Sequence, residues 1–210
     1  MERKQFSAVA KSEQRSFPYE IELCIMPPKE CAKFENRPLF YELCRTGCKN
    51  FDQKWSCPPR SPAFSSMAYM WSYLYIVYIR APMASFGNIK NKYLQIKAAN
   101  SMLKSRADRF ARHLAAQYHG RHISTGSCRL CKPCKIKMDM PCAHPDLMAY
   151  SFEALGINVS TLVEHCFTTP LLWYKDGCVP MYSSVVCGLL SNEKIDLNVL
   201  CDVYKTVVID

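Results

Sequence analysis

Thirteen cysteines in 210 residues constrain this chain more than any other feature, because the same thiols mean disulfides outside a cell and metal or redox chemistry inside one. An odd number cannot all pair within one chain. The opening stretch "MERKQFSAVAKSEQRSFPYE" has no apolar run of signal-peptide length, and no later segment reaches the roughly 20 apolar residues that a membrane span needs. The expectation is therefore a soluble, cytoplasmic protein in a reducing compartment, with metal ligation as the leading account of its cysteines.

Four of them fall within "GSCRLCKPCKIKMDMPCAHP", residues 126–145. Cys128, Cys131 and Cys134 repeat C-x2-C-x2-C, and Cys142 follows after seven residues. Three ligands from one tight loop and a fourth from its exit suit a [4Fe–4S] cubane, whose irons successive residues can reach. Zinc, the alternative, more often draws two separated C-x2-C pairs to one tetrahedral ion. Gly126 and Ser127 allow close backbone approach, so that amide N–H groups can donate to cluster sulfurs. A ferredoxin's last cysteine is followed at once by proline, whereas here Pro141 precedes Cys142 and Pro145 follows later. His144, two residues past Cys142, is expected to orient that loop rather than to bind metal.

A second set, Cys44, Cys48 and Cys57, forms C-x3-C-x8-C within residues 24–62 and is followed by Pro58 and Pro59. Those prolines hold the chain extended past the thiolate. No fourth local thiol accompanies the three. Either one of Cys24, Cys31, Cys166, Cys178, Cys187 and Cys201 completes the set after folding, most simply Cys31 or Cys24 folding back, or one coordination position stays open to water, sulfide or a substrate atom, making a Lewis-acid site. The remaining cysteines, Cys24, Cys31, Cys166, Cys178, Cys187 and Cys201, are expected to be small buried hydrophobes.

Between the two sets, "AYMWSYLYIVYIRAP" is dense in aromatic and β-branched residues and bounded by Pro82, which predicts a buried strand at the centre of a sheet. From Asn88 to Tyr118 the apolar residues Ile89, Tyr93, Ile96, Leu103, Ala107, Phe110, Leu114 and Tyr118 recur mostly at intervals of three or four, predicting one long amphipathic helix stopped by Gly120. "HPDLMAYSFEALG" reads as a short helix between Pro145 and Gly156. Thr161 and Glu164 have capping-box spacing, and two extended segments flank Asp176-Gly177. The fold expected is α/β or α+β, one compact iron–sulfur-binding domain over residues 1–210 with a central sheet and cysteine-rich metal-binding loops.

The charge, 27 basic against 18 acidic residues and +9 overall, admits an acidic electron-carrier protein or a small anionic molecule as partner. Deprotonated ligand thiols offset much of that excess, so a nucleic-acid groove is not expected. Lys92, Lys97, Lys104, Arg106, Arg109 and Arg112 lie mainly off the helix's apolar face and are read as a solvated surface. The five histidines, His113, His119, His122, His144 and His165, are read as ordinary surface or hydrogen-bonded residues.

The two stretches "LCRTGCKNFDQKWSCPP" and "GSCRLCKPCKIKMDMPCAHPDLMAYSFEALGINV" together resemble a family of small cysteine-rich bacterial and archaeal proteins, described as predicted metal-binding proteins of unknown function. That pattern runs from a C…C…CPP element through a strand and a helical middle to C-x2-C-x2-C…C and a following helix of S-x-E-A-x-G-I type. Ser151, Glu153, Ala154, Gly156 and Ile157 match its last element, and the likeness covers roughly residues 40–190. The resemblance implies that Cys44, Cys48, Cys57, Cys128, Cys131, Cys134 and Cys142 are ligands, and it implies nothing for Cys24, Cys31, Cys178 or Cys187.

Three function classes follow. The first is an oxygen-sensitive protein with two [4Fe–4S] clusters, acting in redox or cluster-based catalysis; no glycine-rich nucleotide fingerprint accompanies it. The second is a non-redox enzyme that uses an open cluster iron as Lewis acid. The third is a zinc-stabilised binding module.

Overall fold

The computed structural model describes residues 1–12, 15–175 and 177–209. The strands are β1 (Glu2–Ser12), β2 (Arg15–Met26), β3 (Tyr73–Pro82), β4 (Arg121–Ser124), β5 (Tyr150–Ser151) and β6 (Tyr182–Ser191). The helices are α1 (Pro28–Cys31), α2 (Arg37–Gly47), α3 (Phe64–Ala68), α4 (Lys92–Gln117), α5 (Val159–Cys166) and α6 (Leu197–Tyr204). All six strands form one sheet in the order β1-β2-β3-β6-β4-β5. Only the β4–β5 pair is parallel. This is an α+β fold with a central sheet, as expected, and the "YLYIVYI" segment is its central strand β3.

The period-two alternation of a strand divides the core into two layers. Tyr75, Val77 and Ile79 of β3 face one layer with Cys187 and Leu189 of β6, and α4 and α6 cover them. Leu74, Ile76 and Tyr78 face the other layer with Leu190, under α1, α3 and α5. Strands buried on both faces read as near-continuous apolar runs, which explains why β3 and β6 show no polar alternation in sequence. β1 lies at an edge, with Ala8 and Ala10 its buried residues among those described, and Arg3, Lys4 and Lys11 mark it as a charged rim of the kind that discourages edge pairing.

In α4, Asn91 caps the N-terminus by accepting from the Leu94 N–H at 3.0 Å. The buried stripe is Ala99, Leu103, Ala107, Phe110, Ala111 and Leu114, whereas Tyr93 is 58% exposed. The helix thus starts later than the apolar periodicity suggested. Its end also differs. His119 adopts the left-handed conformation (φ 47°) and the Gly120 N–H returns to the Ala115 carbonyl at 3.0 Å, a Schellman closure. Gly120 is required instead by close approach, since a Cβ there would sit 2.5 Å from the Leu190 carbonyl oxygen.

Two local expectations are corrected. Residues 145–156 form turns around the two-residue β5 rather than a helix. Gly156 takes φ +90° and lets Arg37 approach to 3.1 Å of where a Cβ would be. The residue that caps α5 is Asn158, which accepts from the Thr161 N–H at 3.3 Å, so Thr161 lies inside the helix and does not begin it. Of the expected Asp176-Gly177 turn, Asp176 lies outside the described residues. Gly177 stands in a turn beside the isolated Lys175–Cys178 bridge, and the extended segment after it is β6.

Phe110→Ala is expected to lower unfolding stability by about 3–5 kcal/mol, the range for truncating a buried aromatic. Tyr93→Ala on the same helix should change it by less than about 0.5 kcal/mol. Denaturant titration of both variants checks this, and equal effects would contradict the assigned helix face.

Candidate metal centre

Both cysteine sets sit at the β4–β5 side of the sheet, on segments anchored to one another. α2 begins at Asn36, whose side chain accepts from the Leu39 N–H at 3.2 Å, and carries Cys44 in its last turn. Two bonds fix this unit to the turn after β5, and a third ties α2 to the segment that follows Cys57. The Asn36 N–H donates to the Gly156 carbonyl at 2.7 Å, Arg37 donates to the Ser61 carbonyl at 2.6 Å, and the Ser61 hydroxyl donates to the Ala154 carbonyl at 2.6 Å. Cys48 and Cys57 follow on consecutive turns, where Asp52 and Arg60 form an ion pair and the Asp52 N–H reaches the Pro58 carbonyl at 2.9 Å.

The four-cysteine segment leaves β4 and returns as β5, its parallel neighbour. Lys54, Trp55 and Ser56 hold it from below. The Ser56 hydroxyl accepts from the Cys128 N–H at 3.0 Å, the Lys54 ammonium donates to the Cys128 carbonyl at 2.7 Å, and the Trp55 indole N–H donates to the Met140 carbonyl at 3.1 Å.

This folding brings each set together. Cys44, Cys48 and Cys57 line a cavity of about 290 Å³, whose wall also includes Thr125, Ser127 and Glu153. Cys128, Cys131, Cys134 and Cys142 line a smaller void of about 20 Å³, with Ser56, His144 and Met148 beside them. Ser56 and Cys57 are adjacent in the chain yet line different voids, as do Ser127 and Cys128. The two thiol sets therefore meet at these two pairs of neighbouring residues. Among the described residues, no three His, Cys, Asp or Glu side chains already converge on a single ion position.

Neither Cys24 nor Cys31 lines the three-thiol cavity. Both are fully buried with Cys166 in the core layer under α1 and α5, so the rival fourth ligand for that set is not supported. Cys166, Cys187 and Cys201 are buried as expected. Cys178 is not; it is exposed, standing at the isolated bridge with Lys175, while its neighbour Val179 is the residue that packs against the core.

Burial pushes the Cys57 thiol up to about 11, against a lowering contact from Ser56, and burial likewise raises Cys44, with Cys48 adding to it. Such thiols stay protonated unless a cation compensates their charge, and a bound metal does so while releasing protons.

Residues 29–187 match the family described as "Predicted metal-binding protein (DUF2284)". The chain belongs to this family. The matched span contains all seven cysteines that line the two voids and excludes β1 and β2. No curated protein and no solved structure matches the chain. For this predicted metal-binding family member, the two thiol-lined voids are the candidate metal centres. No helix among the described residues is long and apolar enough to cross a membrane.

Sequence reasoning did not find the other walls of the three-thiol cavity. Lys104, read as a solvated lysine, and Arg129 both line it. Asn100, Lys104 and Asp108 recur every fourth residue along α4, flanking its buried stripe. Asn100 accepts from the Ser183 hydroxyl at 3.2 Å, and Asp108 accepts from both the N–H and the hydroxyl of Thr125 at 3.2 and 3.1 Å. A polar row at that spacing beside an apolar stripe was the legible signal.

His122 belongs to neither void. It is 9% exposed on β4 and its Nε2 has no hydrogen-bond partner among the described residues. Burial, with Arg112 adding to it, pushes its pKa down to about 4, below the unfolded value near 6.5. The unfolded state therefore binds more protons between these values, and stability is lost as pH falls through that window. Over that window the protein is expected to lose stability on the order of 2–3 kcal/mol from this residue. Denaturant titrations from pH 7 to pH 4 should show this extra loss in the wild type and not in His122→Leu; parallel pH profiles would contradict it.

Proposed function

We propose that this protein is an iron–sulfur protein holding two [4Fe–4S] clusters, one on Cys128, Cys131, Cys134 and Cys142 and one on Cys44, Cys48 and Cys57, and that it acts in redox or cluster-based catalysis on a small molecule. The observation that carries this reading is the pair of thiol-lined voids meeting at Ser56 and Cys57 and at Ser127 and Cys128. Clusters so placed supply one-electron chemistry, and an iron without a protein thiolate supplies a Lewis-acid position.

The donor sets fit that assignment unequally. The 290 Å³ cavity has room beyond its three thiols, and a fourth coordination position there falls to a non-cysteine group. The 20 Å³ void has four thiols around space for one small ion, so a cubane there requires the 128–142 segment to spread. That smaller space favours a second reading for this centre alone, a structural zinc ion held by the four thiolates.

The chain's own residues have definable tasks. Ser56 and Lys54 hold the Cys128 backbone, and Asp108 holds Thr125 at the cavity wall. His144 lines the four-thiol void from the exit of the loop and serves to position Cys142. An acidic electron carrier remains the partner proposed for the basic surface.

Anaerobic purification followed by iron, acid-labile sulfide and zinc analysis tests the reading. Cys131→Ala and Cys48→Ala are each expected to remove one cluster's worth of iron and sulfide while leaving the other, and His144→Ala to keep both. Zinc without sulfide in the wild type would overturn the cluster assignment, and loss of all metal from either single cysteine variant would contradict two separate centres.

A further inference from the structure

The three-thiol cavity does not end at its thiols. A second chamber of about 190 Å³ adjoins it, and both are lined by Lys104, Thr125 and Glu153. Together they reach the size at which small-molecule sites begin, a few hundred Å³. The outer chamber has an apolar side of Phe152, Leu171 and Trp173. Thr125, fixed by its two bonds to Asp108, forms the rigid part of the junction.

The charges at the junction define what fits. Lys104 is half-buried and makes no ion pair among the described residues, and Asp108, one turn further along α4, is already engaged by Thr125. Its ammonium is therefore available to an anion, with Arg129 a second positive charge in the inner chamber. Glu153 places a carboxylate at the same junction. A doubly charged phosphate meets repulsion there, whereas a monoanion that also carries a hydroxyl or ammonium donor satisfies both residues.

We propose that the two chambers form one binding site for a small hydroxy- or amino-carboxylate with an apolar body, its carboxylate on Lys104, its donor on Glu153 and its body against Trp173. The inference rests on the reading of the three-thiol cavity as a metal centre, which is what the ligand's reactive end meets. Lys104, Glu153 and Thr125 bind and orient; the metal centre supplies the chemistry.

Calorimetry on the anaerobically purified chain, with 3-phenyllactate, lactate, their neutral amides and inorganic phosphate as probes, tests this. 3-Phenyllactate is expected to bind at least tenfold more tightly than its amide, than lactate and than phosphate. Lys104→Met and Glu153→Gln should each cost tenfold or more, Lys104→Arg should largely restore binding, and Lys92→Met, in the exposed first turn of the same helix, should change nothing. Thermal melting of each variant confirms folding, and the Arg and Met variants together separate lost charge from lost fold. Equal binding of acid and amide, a preference for phosphate, or indifference to Lys104→Met overturns the proposal. Metal and sulfide are measured on the same sample. A zinc-loaded, sulfide-free protein that still selects 3-phenyllactate through Lys104 overturns the cluster reading alone, and an iron- and sulfide-replete protein that does not select it overturns this inference alone.

Discussion

Both backbone groups of Cys128 are held by the segment that carries the other thiol set: its N–H by the Ser56 hydroxyl at 3.0 Å and its carbonyl by the Lys54 ammonium at 2.7 Å. Ser56 is 1% exposed and its hydroxyl also meets the Cys57 Sγ at 4.0 Å, so losing the Cys128 bond leaves it one weak sulfur contact, at a cost of about 1 kcal/mol. Two cysteine segments some 70 residues apart in sequence are thus joined directly through Lys54, Trp55 and Ser56. The sheet fixes what lies beneath them, because the second segment connects two neighbouring parallel strands and the first is anchored to the turn that follows.

Burial keeps the thiols themselves in their neutral, protonated form, so a metal that binds them must displace their protons. Burial raises Cys44 and Cys57, so neither can become a thiolate at neutral pH on its own account. A cation reverses that, and its binding free energy becomes folding free energy for the loops it joins. The remaining buried cysteines differ in kind. Cys187, facing α4, donates to the Ala107 carbonyl at 3.7 Å, and burial raises its thiol strongly. It behaves as a small apolar residue with one weak hydrogen bond.

What the sequence made legible follows from how locally each feature is encoded. β3 and α4 were readable because their apolar residues repeat with the period of the element that buries them. Each cysteine set was readable because its spacing is short. The antiparallel β1–β2 pair was not, since β1 buries little and β2 is buried without a break from Ile21 to Met26, leaving no shared alternation. The 145–156 segment imitated a helix through Pro145 and Gly156, yet Gly156 answers to Arg37, a partner far away in the chain. Lys104 was misplaced for the same reason. Its surroundings come from the turn after β4 and the turn after β5, and only the fold brings these to one flank of α4.

The adjacent thiol-lined voids acquire their meaning from the metal they hold, and X-ray absorption at the iron and zinc edges of the anaerobically purified, intact chain tests that most directly. The account predicts an iron edge with a sulfur first shell and iron–iron scattering, reduced in amplitude by about half when Cys131 is replaced by alanine, since one of two equal clusters is then lost. A zinc edge with a sulfur shell and no metal–metal scattering would contradict it.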